Sequence, residues 1–463
     1  MKVLIVGAGK LGRKLAETMV AEHIDVTVIE NDPVAIDRIN THMDVLTVQG
    51  NGIDISVLKE LNIQTYDLIV ACTSRDETNT IICTLAKKLG CRTTIARVRD
   101  PEYLQQIGFI KDKLGIDYVI NPDLATAESI ERYLLKSHSF YSDGFVSGKV
   151  QMVDFNIETL DAFVGKRIME LENFEELLIT AISRDGEIII PDGNTVLRDF
   201  DLIYVIGKTK EIELLTNRFD RRLLEKPIRD VMILGGSNIA FYLCEKLLKH
   251  NINITIIERD LDVCNKLSEK LNDVLIIHGD ATDITLLEDE NLQEMDAVVG
   301  TTGFDEANLL MGLMAKQAGI PKVVSKISKE NYSKIIDRLD VDAALNPIYI
   351  SSSKILKLIR GGKIMSVSLL IGGDGEVTEI VLDDKLPFLN KTLEELDLPK
   401  GIIIGAISRK GKVFIPDGQT SLKPKDRIVV FSLKDNSDDL KMFFKSRKGG
   451  FLSGLFHSDD NPR

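Results

Sequence analysis

Gly7-Ala8-Gly9-Lys10-Leu11-Gly12 is the first stretch of the chain whose residue types and spacing can do chemistry. It reads G-x-G-x-x-G, follows the apolar run 2–6 and opens a segment of helical periodicity at 10–22. In that setting Gly7 permits a tight turn, Gly9 lets a pyrophosphate approach the backbone, and Gly12 lets a helix pack closely on a strand. The helix N-terminus adds unpaired N–H groups and a partial positive charge. Glu30 ends the next apolar run, where a carboxylate can accept hydrogen bonds from adenosine ribose hydroxyls. A 2′-phosphate ~4 Å from that carboxylate would be repelled by about 4 kcal/mol at an effective dielectric near 20, which favours NAD over NADP. The competing reading keeps the glycine turn for packing alone and leaves Glu30 as a solvated strand-end residue.

Further candidates lie at the ends of later apolar runs, the edge on which such sheets bind ligands. Asn51 follows the run 44–48, Thr73 and Ser74 follow 67–71, and Arg97 is near the end of 94–98. Arg97 can pair with a phosphate, stack on a base or form an exposed ion pair. Spacing does not choose among these.

The arrangement is written twice. KVLIVGAGKLG at 2–12 returns as DVMILGGSNIA at 230–240, and TVIEND at 27–32 as TIIERD at 255–260. DLIVACTSRDETN at 67–79 returns as DAVVGTTGFDEAN at 296–308, and AISRDGEIIIPDG at 181–193 as AISRKGKVFIPDG at 406–418. Constant order over nearly the whole chain means duplication. The second glycine turn is altered: Gly235, Gly236, Ser237, Asn238 and Ile239 stand where Gly7 to Leu11 stand. Ser237 adds a Cβ where a pyrophosphate would approach, or offers its hydroxyl to a phosphate. Glu258 keeps the acidic position, but Arg259 follows it, Asp280 replaces Asn51 and Lys326 replaces Arg97. Whether this second site is occupied, and by which nucleotide, stays open.

These residues need a scaffold. Apolar runs at 2–6, 25–29, 44–48, 67–71, 94–98 and 117–120 read as buried parallel strands. Amphipathic stretches near 10–22, 33–41, 54–61, 76–89 and 123–136 separate them. The pattern predicts the α/β class, with two Rossmann-like doubly wound parallel sheets, each followed by a small α+β lobe. In the lobe, strands at 149–157 and 178–183 precede a hairpin turn at Arg184-Asp185-Gly186 and a break at Pro191-Asp192-Gly193. A strand at 201–207 and a short helix at 209–218 follow. A lobe of about 75 residues is small for independent stability and should lean on a partner lobe or a second copy. The expected divisions are 1–140 and 228–364 for the nucleotide-type folds, 141–222 and 365–447 for the lobes, and 448–463 for a flexible tail. Basic and apolar residues mix at 441–456, which reads as a frayed terminus or as a contact for acidic lipid or a membrane subunit.

Composition excludes several function classes. The 463 residues carry a net charge of −13, which argues against a nucleic-acid partner. There is no run of 18 apolar residues, and the first ten residues lack the pattern of a secretory signal. Five cysteines without paired spacing read as reduced cytosolic thiols. Six scattered histidines argue against a metal site. Histidine is missing from 145–220 and 365–445, and Asp192 and Asp417 sit in Pro-Asp-Gly turns, where an aspartate bonds its own backbone. No catalytic residue is assigned. Nucleotide folds without acid–base chemistry beside them suggest a sensor.

Tandem GAGKLG, VIEND, GNG, ACTSRDETN and IARV units, each followed by a lobe containing AISR and PDG, resemble the TrkA-type regulatory subunits of Trk potassium uptake systems over about 1–445. These subunits are built of RCK (KTN) domains with C-terminal companions. The resemblance implies a protein that is cytoplasmic and peripheral on the inner face of the cell membrane. It implies a potassium-translocating membrane subunit (TrkH/TrkG-like) as partner, and a homo-oligomer, a tetramer forming a ring. It implies NAD(H) as ligand, with ATP or ADP as further ligands, and gating by rearrangement of the ring. On matching positions it places contacts at Gly7 through Leu11, Glu30, Thr73, Ser74 and Arg97, and at Gly235 through Ile239, Glu258 and Lys326. The alternatives are a regulator of a potassium efflux antiporter and a NAD-dependent oxidoreductase.

Overall fold

A computed structural model describes residues 1–21, 23–135, 145–157, 163–171, 174, 176–184, 187–219, 228–329, 332, 341–359, 364–369, 375–384, 386–396, 398–433, 436, 440 and 443. The expected tail at 448–463 and the turn residues Asp185 and Gly186 lie outside these. The chain divides into two compact units, Met1–Ala125 with Pro347–Leu356, and Thr126–Asn346 with Lys357–Arg463.

In the first unit six parallel strands form one sheet: β1 (Lys2–Val6), β2 (Asp25–Glu30), β3 (Leu46–Gln49), β4 (Leu68–Ala71), β5 (Thr93–Arg97) and β6 (Tyr118–Ile120). The order β3-β2-β1-β4-β5-β6 is the doubly wound arrangement. Val3 registers beside Val26 on one side and Leu68 on the other. The inner strands β1 and β4 are near-continuous apolar runs because helices cover both their faces. Helices α1 (Lys10–Ala21), α2 (Pro33–His42), α3 (Ile55–Glu60) and α4 (Asp76–Lys88) fall where periodicity places them. Between β5 and β6 the chain also forms α5 (Pro101–Gln105) and α6 (Ile107–Leu114), for which no helix was expected. Asp100 caps α5 by accepting from the Glu102 and Tyr103 amides, and Gly115 in the left-handed region ends α6. The core holds Leu4, Val6, Ile29, Ile69, Ile82 and Tyr66, each burying an apolar group worth about 1.5–3 kcal/mol. Tyr349, contributed from far along the chain, lies under the Lys14 ammonium at 4.8 Å.

The second unit holds the repeat of this sheet, β11 (Asp230–Leu234), β12 (Asn253–Glu258), β13 (Leu275–His278), β14 (Ala297–Gly300), β15 (Lys322–Lys326) and β16 (Ala343–Leu345), in the order β13-β12-β11-β14-β15-β16. Residues 126–135, the end of helix α7 (Pro122–Leu135), pack here: Lys246 pairs with Glu128 at 3.7 Å and Glu131 at 3.5 Å, and Lys322 donates to the Leu134 carbonyl at 2.9 Å.

Both small lobes belong to this unit. The first is a four-stranded antiparallel sheet of β7 (Val150–Asn156), β8 (Leu177–Arg184), β9 (Glu187–Ile189) and β10 (Leu202–Lys208), ordered β7-β10-β8-β9. The second has five strands: β17 (Ile364–Leu369), β18 (Gly375–Val381), β19 (Ile402–Arg409), β20 (Lys412–Phe414) and β21 (Arg427–Leu433), ordered β17-β18-β21-β19-β20. Its β19–β20 turn has Lys410 and Gly411 both at positive φ, as a two-residue hairpin requires. The lobes share one core, with Phe145, Met152, Tyr204 and Ile206 against Val377, Ala406, Val429 and Phe431. A Cβ on Gly405 would stand 2.9 Å from Ile206, so the approach needs glycine. Buried Glu379 accepts from the Val146 amide at 2.9 Å across the seam. The lean on a second lobe is thus met inside the chain. Asp192 and Asp417 bond Thr195 and Thr420 within their own turns, as turn aspartates do.

Candidate functional site

The glycines of the first turn have three different physical roles. Gly7 has φ +104°, and a Cβ there would lie 2.9 Å from the Thr73 nitrogen. Gly12 lies so close beneath the turn that a Cβ would be 1.9 Å from the Gly7 carbonyl oxygen. Gly9 meets nothing within 4 Å. The turn is therefore closed on its inner side and open at its crest. The first intrahelical bond of α1 runs from the Arg13 amide to the Gly9 carbonyl, so the Lys10 and Leu11 amides precede the ladder.

Glu30 has a further task that spacing does not reveal. Its Oε2 accepts from the Ala8 amide at 2.6 Å, and its Oε1 from the amides of Asn31 and Asp32 at 2.7 and 3.1 Å. The carboxylate thus ties the glycine turn to the end of β2, and Oε2, with one bond, keeps acceptor capacity for a hydroxyl. Ala8 and Leu11, both expected as contacts, are buried, and the Ala8 amide is committed to Glu30. Lys10 is exposed at the crest. Asn51 is exposed and accepts from the Ile53 amide at 3.2 Å.

Thr73 is half-buried and Ser74 exposed at the start of the β4–α4 loop. Their organiser is Asn79, which was not singled out. This fully buried side chain accepts from the Thr73 amide and hydroxyl, both at 2.8 Å, and donates to the carbonyls of Thr73 at 3.2 Å and Arg97 at 2.9 Å. It joins the loops after β4 and β5. The signal was present, since TSRDETN and TGFDEAN both keep an asparagine on the inward face of a helix.

Arg97 is half-buried and forms no ion pair among the described residues. Its Nη1 donates to the Thr73 carbonyl at 3.2 Å, while its buried Nε has no hydrogen-bond partner among the described residues. Burial, and then the charge of Arg99, push this guanidinium below its ordinary pKa. A buried cation with an unpaired donor fits an anionic or hydrogen-bond-accepting group.

The second fold repeats the frame with other side chains. Glu258 accepts from the Gly236 amide at 2.6 Å and the Asp260 amide at 2.8 Å. Asn308 accepts from the Thr302 amide and hydroxyl and donates to the Thr302 and Lys326 carbonyls. Gly235 has φ +102°. Ser237 caps the helix Asn238–Leu247, accepting from the Ala240 amide at 3.4 Å. Its own proton stays available to a ligand. Ile239 is buried and Asn238 half-buried. Lys326 reaches the Thr302 carbonyl at 2.6 Å, copying the Arg97 contact.

Residues 3–122 and 231–347 match the TrkA-N domain, and residues 152–220 and 377–445 the TrkA-C domain. The chain is 34% identical over 445 residues to the Trk system potassium uptake protein TrkA homolog of Archaeoglobus fulgidus, covering 96% of this chain and 100% of that one. It is 32% identical over 458 residues to the Trk system potassium uptake protein TrkA of Haemophilus influenzae, covering 96% and 99%. Among solved structures it is similar to the GsuK channel bound to NAD, with 20% identity, a TM-score of 0.57, and 96% of this chain and 78% of that one covered. At that identity the likeness shows the fold alone.

Proposed function

The chain belongs to the TrkA family, with TrkA-N and TrkA-C domains in tandem, and from that premise we propose that it is the nucleotide-binding regulatory subunit of a Trk-type potassium uptake system. The observation that carries the reading is the first glycine turn. Gly7 and Gly12 are sterically locked, Gly9 is open, and Arg97 holds a buried unpaired donor at the same strand edge. The ligand is NAD(H), with ATP or ADP as competitors for the same crest. Bound dinucleotide supplies the pyrophosphate charge; the chain's own part is to receive it. The Gly9, Lys10 and Leu11 backbone faces the phosphates at the helix N-terminus, Glu30 holds the turn in shape, and Arg97, Thr73 and Ser74 line the neighbouring loops. The reading assigns no catalytic residue.

On this reading the chain is organised as folds at 1–140 and 228–364 and lobes at 141–222 and 365–447. It works in the cytoplasm against a potassium-translocating membrane subunit, as a ring-forming tetramer. Among the described residues no helix is long and apolar enough to cross a membrane. Exposed apolar side chains recur at equivalent positions of the two folds, Leu46 and Leu275, Ile55 and Ile284, Ile81 and Leu310. Matched unpaired apolar surfaces support assembly through both folds. Nucleotides act by binding one ring state better than another, and shift the ring only by that difference. The test is rubidium uptake at limiting potassium in cells lacking the gene, complemented with the wild-type chain or with Gly9→Asp. Rescue by the wild type alone supports the reading. Equal rescue by both refutes the role of the first crest.

A further inference from the structure

The two nucleotide folds differ at the end that would hold an adenosine ribose. In the second fold Arg259 directly follows β12, and Phe304 precedes the helix Asp305–Gln317 after β14. Strands β12 and β14 flank β11, so these positions lie on either side of the second glycine turn, two strand spacings or about 10 Å apart. Yet the Arg259 guanidinium carbon is 5.3 Å from the Phe304 ring centroid. The pair spans the crevice where the strand order reverses, the position at which sheets of this kind take ligands. Phe304 is 58% exposed, so no core holds the ring there.

His278 ends β13 beside Glu258, and its Nε2 donates to the Arg259 carbonyl at 3.0 Å. The first fold has Asn31 in place of Arg259, Gln49 in place of His278 and Arg75 in place of Phe304. Arg75 instead pairs with Glu77 on the surface at 3.8 Å. At this end the second fold has thus gained the cation of Arg259 after β12 and put an aromatic ring where the first fold has the Arg75 cation. Asp280, in place of Asn51, adds a carboxylate whose Oδ1 accepts from the Thr282 amide and hydroxyl. Glu258 accepts backbone amides on both oxygens, as Glu30 does, and keeps its charge, so Arg259 is the group that offsets it toward a phosphate.

We propose that the second fold binds a dinucleotide phosphorylated on its adenosine ribose, with Arg259 as the specificity-determining contact to the 2′-phosphate and Phe304 as the platform for the base. The inference rests on the nucleotide-binding reading of the paired folds. A 2′-phosphate draws the guanidinium off the ring, and the uncovered ring face then stacks on adenine. An exposed cation–π contact alters an equilibrium by only about two- to fivefold, so the resting pair is a weak cover and not a block. The Ser237 hydroxyl, with its proton available, donates toward the pyrophosphate where the first fold has bare backbone.

The test titrates the full chain with NADH and with NADPH, following nicotinamide fluorescence, in the wild type, Gly9→Asp, Arg259→Asn and Arg259→Lys. The expected result is one NADH site lost in Gly9→Asp, and one NADPH site kept there but weakened by about tenfold or more in Arg259→Asn. Arg259→Lys should retain part of the NADPH affinity. Absent NADPH binding, NADPH binding unchanged in Arg259→Asn, or NADPH binding lost together with NADH in Gly9→Asp overturns the inference and leaves the first site untouched. NADH binding unchanged by Gly9→Asp refutes instead the reading of the first fold.

Discussion

Asn79→Ala is the substitution whose consequences can be worked out most fully. The side chain is completely buried and makes four hydrogen bonds, two to Thr73 as acceptor and one each to the Thr73 and Arg97 carbonyls as donor. Truncation strands two groups that have no ready substitute, the Thr73 amide and the Arg97 carbonyl. The Thr73 hydroxyl can rotate toward the Arg75 carbonyl at 3.4 Å, and the Thr73 carbonyl keeps Arg97 Nη1. At about 1–3 kcal/mol per stranded buried group, the first fold loses about 2–6 kcal/mol. The loop carrying Thr73 and Ser74 should relax outward, and NADH affinity should fall by at least about tenfold. The assay pairs urea unfolding with NADH titration; the chain contains no tryptophan, so nicotinamide fluorescence is read without transfer from indole. Asn308→Ala is the internal control, since it destabilises the second fold by the same mechanism and leaves NADH binding at the first crest unchanged. An Asn79→Ala chain with unaltered unfolding and unaltered NADH affinity would refute the stapling argument.

The second and third glycines of the first turn should behave differently. Gly12→Ala, with its Cβ 1.9 Å from a carbonyl oxygen, abolishes the folded first sheet, whereas Gly9→Ala leaves the circular dichroism melt unchanged and weakens NADH binding alone. Arg184→Ala leaves the Asp201 carboxylate, 1% accessible and held by two 2.7 Å bonds from that guanidinium, buried without its cation and with the Arg198 amide as remaining donor; denaturant midpoints should report a loss of about 3–5 kcal/mol, and Arg409→Ala should do the same to Asp426, which keeps the Lys423 amide. Burial pushes the Cys72 and Cys244 thiols up to about 12, so native protein should react with a disulfide reagent at pH 8 only as it unfolds. Because those thiols stay neutral when folded, their contribution to stability is complete below pH 9 and is lost as pH rises from 9 toward 12. Glu306 has the opposite sign: its bonds to Lys329 and Tyr332 hold it at about 2, so its contribution is present above pH 4.5 and is lost as pH falls toward 2, and Tyr332→Phe should raise its titration measured by carboxyl NMR.

The sheets were legible in the sequence because doubly buried strands are apolar runs, and β1, β2 and β4 are buried nearly from end to end. The duplication made each element visible twice. Helices α5 and α6 were not legible: their stability comes from the Asp100 cap and from packing of Tyr103, Ile107 and Leu114 on the core, not from a long amphipathic repeat. At the site, residue type and spacing placed Gly7, Gly9, Gly12 and Glu30 at one strand edge, but not the direction of each polar group. Spacing offers Glu30 as a ribose acceptor and does not show that its oxygens also hold the Ala8, Asn31 and Asp32 amides. Asn79 recurs as Asn308 in the repeat, but an asparagine within a helix is ordinarily a surface residue, and only tertiary contact shows it to be an organiser. For Arg97 spacing leaves a ligand contact and an exposed ion pair equally open, and it does not show that its Nε is buried without a partner among the described residues.

The core shared by the two small lobes has a consequence for how this chain can change. When two separate copies form a two-fold interface, each substitution appears on both sides at once, and a variant must suit both. Here the two sides are encoded by different codons on one polypeptide. Glu379 can bond the Val146 amide while its sequence counterpart is Asp154. The tether also keeps the lobes together at an effective concentration on the order of millimolar, so weakening their contact does not scatter them. One half can then hold a dinucleotide crest intact while the other acquires Ser237, Arg259 and Phe304, and the pair still folds as a pair.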